Sequence, residues 1–433
     1  MSTEGKKGFD TLRIHAGYEP KEHLGSVQVP IYQTTAFDIG SPERAERLVH
    51  FEEVGLLYSR IGNPTVAALE QRVAALDGGV AAVAVASGMA ALSYALLAAG
   101  EGGRVIAAAR IYGGTYDGYR KVYPALGVEI DLIDDVNDLE ALEGLIRPDT
   151  RAIVIESISN PINIVADIQA IADVAHSHGI PLIVDNTLAT PYLLRPIEYG
   201  ADIVVYSATK ALSGHGSIIG GLIVEAPKRF NWLGGRHPQF AKPVYTFGNR
   251  NVVETFPDFP FSARVRTHYL AILGASLSPF DAYLILQGIE TLSERLHRQS
   301  ASALAIAEYL AKHPRVEWVS HPLLPESPYR QLAKQYLPKG VGGIFSFGYK
   351  GDGKENYRFL NALKLFSYHA NLGDARSLII NSPHTTHHEL TPEELKATGV
   401  VPETLRLSIG LEDVADLIAD LEQAFAKAVD TVN

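Results

Sequence analysis

The chain has 433 residues, a formal net charge of -11 and no cysteine. Its length allows two or three domains and a well-buried core without covalent staples. The acidic balance argues against non-specific binding to nucleic acid or anionic membranes, and the missing thiols exclude disulfides, cysteine nucleophiles, thiolate zinc sites and cysteine-held iron–sulfur clusters.

The first ten residues are polar and charged, unlike a secretion signal, so a cytoplasmic location is the expectation. Residues 1–61 lack clean periodicity, contain Pro30 and Pro42, and read as an extended N-terminal arm. Residues 62–276 read as a large α/β domain. Apolar residues at helical spacing, with Pro64 at the start, predict a helix over 64–76. The uncharged run from Gly78 to Gly100 is long enough to span a membrane. It is rich in alanine, however, and Ser87-Gly88 interrupts it, so a buried strand, a turn and a helix are the better account.

Short apolar runs at 80–86, 105–109, 128–133, 152–155, 182–184, 203–206 and 218–224 predict strands. Helical stretches such as 168–178 lie between them. This alternation predicts a mostly parallel sheet with helices on both faces, its strands buried on both sides. Residues 277–433 read as a smaller C-terminal α+β domain. There, 279–313 predicts one long helix or a broken pair. Strands follow at 343–348, 377–380 and 405–409, and an amphipathic helix starts at Asp413. No repeat or low-complexity segment interrupts the pattern.

In an open parallel sheet, ligands bind at the carboxyl ends of the strands, so the residues after each run carry most of the information. Ser87-Gly88-Met89 opens a helix after the 80–86 run. It is either a plain helix cap or a phosphate site at a helix N-terminus. Asp185-Asn186-Thr187 follows 182–184. An acid there is a helix cap, a satisfied structural group, or a carboxylate facing a cationic ring nitrogen. Ser207-Ala208-Thr209-Lys210 follows 203–206. Its hydroxyls lie two apart on one face and suit phosphate oxygens. A lone lysine is usually a solvated surface charge, but the flanking hydroxyls, the glycines and the Asp one strand earlier favour a desolvated lysine, with a lowered pKa suited to Schiff-base chemistry. Lysine, acid, hydroxyls and helix end together make a pyridoxal 5′-phosphate (PLP) site.

These motifs, with Tyr58-Ser59-Arg60-Ile61-Gly62-Asn63-Pro64-Thr65 and Tyr112-Gly113-Gly114-Thr115-Tyr116, resemble the Cys/Met-metabolism PLP-dependent enzymes of fold type I. The likeness runs from Thr11 to the C-terminus. Within that family the chain is most similar to the O-acetylhomoserine sulfhydrylase branch, through Glu156-Ser157-Ile158, Leu277-Ser278-Pro279-Phe280, Asn371-Leu372-Gly373-Asp374-Ala375 and Arg406-Leu407-Ser408-Ile409-Gly410. It departs from that branch at Asn381-Ser382-Pro383-His384, where a His-Pro-Ala-Ser-like run is common, and at Ala211-Leu212-Ser213 after the lysine.

The resemblance implies that Lys210 carries PLP as a Schiff base and shuttles protons. It implies that Asp185 keeps the ring nitrogen protonated, with Thr187 beside it in the cofactor site. Ser87, Gly88, Met89, Ser207 and Thr209 would hold the phosphate, Tyr112 would stack on the ring, and Asn160 would contact the ring oxygen. Arg406 would clamp the substrate carboxylate with help from Asn371. Tyr58 and Arg60 would reach a neighbouring subunit's phosphate, which implies a homo-oligomer, as a dimer of active pairs in a tetramer. From the residues alone, Tyr112 reads as a core tyrosine and Arg406 as a surface ion pair, although Arg406 sits inside an apolar strand pattern where an unpaired charge is expensive. The implied reaction is γ-replacement on O-acetyl-L-homoserine by sulfide or a small thiol, in methionine biosynthesis. A methionine γ-lyase or cystathionine γ-synthase-type activity is the alternative. His384, His387 and His388 have spacing compatible with a metal site, but Pro383 and the threonines suit a loop, so no metal is expected. His15 and His215 read as structural.

Overall fold

The computed structural model describes residues 7–227, 230–388 and 390–429. Seven strands form the larger sheet: β1 Ala81–Val85, β2 Gly103–Ala108, β3 Val128–Ile133, β4 Thr150–Glu156, β5 Leu182–Asp185, β6 Ile203–Ser207 and β7 Gly221–Glu225. Their order is β1-β7-β6-β5-β4-β2-β3. Only β7 runs against the rest, pairing antiparallel with both β1 and β6. The carboxyl ends of β1, β4, β5 and β6 therefore share one edge. Alanine, valine and isoleucine fill the strands, nearly all without solvent contact. That is the composition expected of a sheet covered on both faces.

The uncharged run from Gly78 to Gly100 is β1, a two-residue turn and the helix Gly88–Gly100. No helix among the described residues is long and apolar enough to cross a membrane. The helix expected over 64–76 spans Pro64–Asp77. It is capped by the Asn63 side chain on the Thr65 N–H and ended by Gly78 in the left-handed region. The expected 218–224 strand starts later, at Gly221, and Gly220 bonds Thr209 instead.

A second sheet contains β8 Val316–Val319, β9 Ile344–Tyr349, β10 Ser367–Tyr368, β11 Leu378–Asn381 and β12 Thr404–Ser408, in the order β10-β11-β12-β9-β8. Phe345, Phe347, Ile379, Leu405 and Leu407 turn one of its faces into a separate apolar core with Phe425 of the helix Val414–Val429. Side chains alternate along a strand, so Arg406 points away from that core. Its register neighbours Ser346 and Ile380 do the same. This second face lies against the larger sheet. Ser346 Oγ donates to the Pro161 carbonyl and Asn163 Nδ2 to the Ile344 carbonyl.

The long helical stretch is a broken pair, Pro279–Ile289 and Leu292–Leu310. The first member packs its Ala282, Ile285 and Ile289 into the core of the larger sheet. The N-terminal arm departs from its reading as purely extended chain. It holds two short helices, Phe9–His15 and Pro42–Val49. The second starts on Ser41, whose side chain caps the Arg44 N–H, with Pro42 in the first turn. The first is tied down by Arg13, which pairs with Asp10 and with Glu294 far along the chain. A contact of that range has no local sequence signal.

Candidate active site

The carboxyl edge of the larger sheet opens into a cavity of about 540 Å³. Three layers of local structure build it. The first is the start of the helix Gly88–Gly100. Ser87 Oγ accepts from the Ala90 N–H at 3.0 Å, which leaves the N–H groups of Gly88 and Met89 without helical partners. A Cβ on Gly88 would lie 2.5 Å from Ser207 Cβ. Only glycine lets the helix end come this close to β6. The positive end of a 13-residue helix thus meets the Ser207 hydroxyl, a fit for a phosphate.

The second layer is the end of β5 and β6. Asp185 Oδ1 accepts from the Thr187 hydroxyl at 2.6 Å and from the Thr187 N–H at 3.0 Å. The same hydroxyl accepts from the Ser207 N–H at 2.8 Å. Thr187 is thus a clip between the acid and the hydroxyl strand. Burial raises the Asp185 pKa, against the lowering effect of both Thr187 bonds. A buried carboxylate of this kind calls for a positive partner. Thr209 is more constrained than its spacing implies. Its hydroxyl donates to the Gly220 carbonyl and accepts the Gly220 N–H.

The third layer joins the two sheets. Lys210 Nζ donates to Asn371 Oδ1 at 2.9 Å. Burial first, and the nearby Arg406 charge second, lower the Lys210 pKa to about 8. Arg406 is buried and donates to Asn160 Oδ1 at 3.1 Å and to the Asn371 carbonyl at 3.0 Å. Its Nε has no partner within the described residues, and no carboxylate there pairs with it. A buried guanidinium without a counter-ion is a ready receptor for a carboxylate. The reading of Arg406 as a surface ion pair is therefore corrected: alternation on β12 turns it inward. Tyr112 lines the cavity with its ring about one-third exposed, so it is not a core tyrosine.

Met89, Asn160, Thr187, Thr209 and Asn371 line the cavity as well. Tyr58 and Arg60 do not. Both are exposed on the arm, the guanidinium 5.2 Å over the tyrosine ring. One lining acid, Glu156, carried no role in the sequence reading. It ends β4 as Asp185 ends β5, and the two are register partners.

The histidine cluster does not converge. His384 lies beside the Tyr357 ring, His387 packs under Gly113, and His388 sits at the cavity rim with Thr385 and Thr386. No group of three potential ligands among the described residues could hold a metal ion. His215 bonds the Ser213 carbonyl within its own loop.

Residues 10–426 match the model of the Cys/Met metabolism PLP-dependent enzymes. The chain belongs to that family. Its fold is therefore the type I fold, and its cofactor is PLP. Family relatives match at full length. A sulfhydrylase of Gibberella moniliformis is 43% identical, covering 99% of both chains. A homocysteine synthase of Schizosaccharomyces pombe is 43% identical, covering 97% of this chain and 98% of its own. A solved Campylobacter jejuni structure, assigned as an O-acetylhomoserine (thiol)-lyase and holding N′-pyridoxyl-lysine-5′-monophosphate, superposes with a TM-score of 0.93. It is 40% identical, covering 97% of this chain and all of its own.

The cavity fits the family cofactor on its own terms. A desolvated amine, a buried acid without a cation partner and a glycine-made anion cradle face one space. These are the donors an aldehyde, a pyridinium and a phosphate require.

Proposed function

We propose that this PLP-dependent enzyme replaces the acetate group of O-acetyl-L-homoserine with sulfide, giving L-homocysteine. Acetate leaves from Cγ as the Cγ–O bond breaks, and hydrosulfide forms the new Cγ–S bond. A small thiol such as methanethiol would give L-methionine instead. The observation that carries the reading is Arg406. Its unpaired, buried charge is linked through Asn371 to the amine of Lys210. An α-amino acid needs its carboxylate held and its amine placed next to that lysine. The names of the relatives supply the ester and the sulfur nucleophile.

Bound PLP supplies an electron sink for negative charge on the carbons beside the substrate amine. The protein's own residues do the rest. Ser87, Ser207 and the Gly88 and Met89 N–H groups would hold the phosphate, with Thr209, whose hydroxyl is engaged by Gly220, bordering it. Asp185, charged, would keep a proton on the ring nitrogen, Asn160 would contact the ring oxygen, and Tyr112 would cover the ring. Arg406 and Asn371 fix the substrate carboxylate, which orients the Cα–H bond. Lys210 is neutral in part at neutral pH, so it would carry one proton at a time, taking that of Cα and, once it has released it, that of Cβ. The burial of these groups excludes water and keeps the charges effective.

Tyr58 and Arg60 are proposed to complete the phosphate site of a neighbouring subunit. Their exposure on the arm, away from this chain's own cavity, supports that role. The active form is then a homo-oligomer, at least a dimer and proposed as a tetramer. A cytoplasmic location and a place in methionine biosynthesis belong to the same proposal.

A product assay with O-acetyl-L-homoserine, with and without sulfide, tests the reading. Sulfide-dependent homocysteine and acetate are expected. Strong release of 2-oxobutanoate and ammonia from methionine would overturn it in favour of a γ-lyase.

A further inference from the structure

Glu156 is the one cavity acid without an assigned part. It stands beside Asp185 on adjacent parallel strands, and the two carboxyl groups face the same cavity. Its oxygens are divided between two backbone donors. Oε1 accepts from the Tyr112 N–H at 3.1 Å, and Oε2 accepts from the Asn160 N–H at 2.8 Å. Tyr112 starts the helix Gly113–Lys121 on one side. Asn160 receives Arg406 on the other, and Arg406 reaches Asn371 and so Lys210. One carboxyl group thus sets the backbone from which the ring-covering tyrosine and the carboxylate clamp both project.

We propose that Glu156 is a positioning residue that stays protonated beside Asp185, so that the acid pair carries a single negative charge while Glu156 fixes the Tyr112 and Asn160 backbones. The inference rests on the reading of this cavity as the PLP site. Two carboxylates at the ends of neighbouring buried strands cannot both ionise cheaply. Each acid accepts two donors. The Thr187 hydroxyl, at 2.6 Å, and N–H converge on one oxygen of Asp185. The two N–H donors to Glu156 are divided over both of its oxygens, so Asp185 is the member that keeps the charge. Burial first and the Asp185 charge second raise Glu156 to about 8, against the lowering effect of the Asn160 and Tyr112 N–H bonds. The other groups around it do not supply a counter-ion in contact. Tyr119, from the helix Gly113–Lys121, is buried, and its phenol is raised well above its usual value. Arg110 and Asp134 lie across a narrow void on the β2 and β3 side. Lys210 and Arg406 face it only across the main cavity. One net negative charge matches one ring cation; two would leave an uncompensated charge in a buried site.

Infrared difference spectra of the full chain freed of PLP test the proton directly. Subtracting Glu156→Gln from the unaltered protein at pH 7 is expected to isolate a protonated-carboxyl band. That band is expected to convert to carboxylate as pH rises through about 8, and at lower pH in Asp185→Asn, which lacks the neighbouring charge. No such band at pH 7, or a conversion unmoved in Asp185→Asn, overturns the inference. With PLP bound, Glu156→Gln places an amide donor against one of the two N–H groups. A fall in kcat/KM of roughly tenfold or more is expected, the rate equivalent of one displaced hydrogen bond. An unimpaired Glu156→Gln enzyme overturns the positioning half. A protein that stays colourless with added PLP fails the site reading itself, whereas a coloured protein with an ionised Glu156 fails only this inference.

Discussion

Lys210 Nζ and Asn371 Oδ1 meet at 2.9 Å across the seam between the two sheets. The amine comes from the turn after β6, and the amide precedes β11 of the second sheet. This bond makes the reactive amine sensitive to the position of the whole second sheet. Changing Lys210 to Ala is expected to abolish the visible cofactor band and to lower turnover by at least about a thousandfold, the upper range for loss of an acid–base group. Absorbance and a homocysteine assay on the same preparation check it. A coloured variant with full turnover would remove Lys210 from the mechanism.

The pH behaviour of the amine follows from its surroundings. Burial first, and Arg406 second, lower the Lys210 pKa to about 8. Only the neutral amine attacks an aldehyde. The rate at which cofactor-free protein captures PLP is therefore expected to rise with pH and level off above about 8. Removing the Arg406 charge takes away one of the two lowering causes, so in Arg406→Gln the plateau moves to higher pH. Stopped-flow capture rates across pH 6 to 10 measure it, and an Arg406→Gln curve shifted towards lower pH would contradict the assignment.

Arg406 itself separates binding from stability. It is buried, holds two polar partners and has no described carboxylate partner. Replacing a buried charge by a neutral group of similar volume is often neutral or stabilising. Arg406→Met is therefore expected to keep or raise the melting temperature of the cofactor-free protein. The same change is expected to lower kcat/KM for O-acetyl-L-homoserine by roughly 10²–10³, the usual loss of a buried, charge-assisted contact. A large drop in stability with little change in KM would make Arg406 a structural group.

Much of this site was legible because polar residues directly after buried strands are expensive and need a reason. Asp185 and Lys210 were found that way, and the same signal was present at Glu156. It follows the apolar 152–155 run as Asp185 follows 182–184. What the sequence does not carry is pairing between distant segments. Thr209 looked free to hold a phosphate, but its hydroxyl is engaged by Gly220, eleven residues on. The apolar pattern around Arg406 hints at burial, but its meeting with Asn160 and Asn371 follows only from the placing of β12 between β9 and β11. The helix Phe9–His15 depends on Arg13 reaching Glu294, a contact with no local pattern. Strand ends and helix caps are local and can be read; which lobe covers them is decided by tertiary packing.

The arm makes a test of the neighbouring-subunit role. Arg60→Ala and Lys210→Ala variants are each expected to be inactive, for different reasons. If Arg60 serves its own chain's site, mixing the two proteins restores nothing. If it serves the neighbour, a mixed pair contains one site with both lesions and one with neither. Unfolding and refolding the two together is then expected to recover roughly a quarter of the unaltered activity, since half of the pairs are mixed and each has one intact site. The recovered activity should appear with a matching fraction of visible cofactor absorbance. Refolded mixtures that form hetero-oligomers but remain inactive would show that Arg60 does not complete the neighbour's site, and would remove the main reason to treat the site as shared.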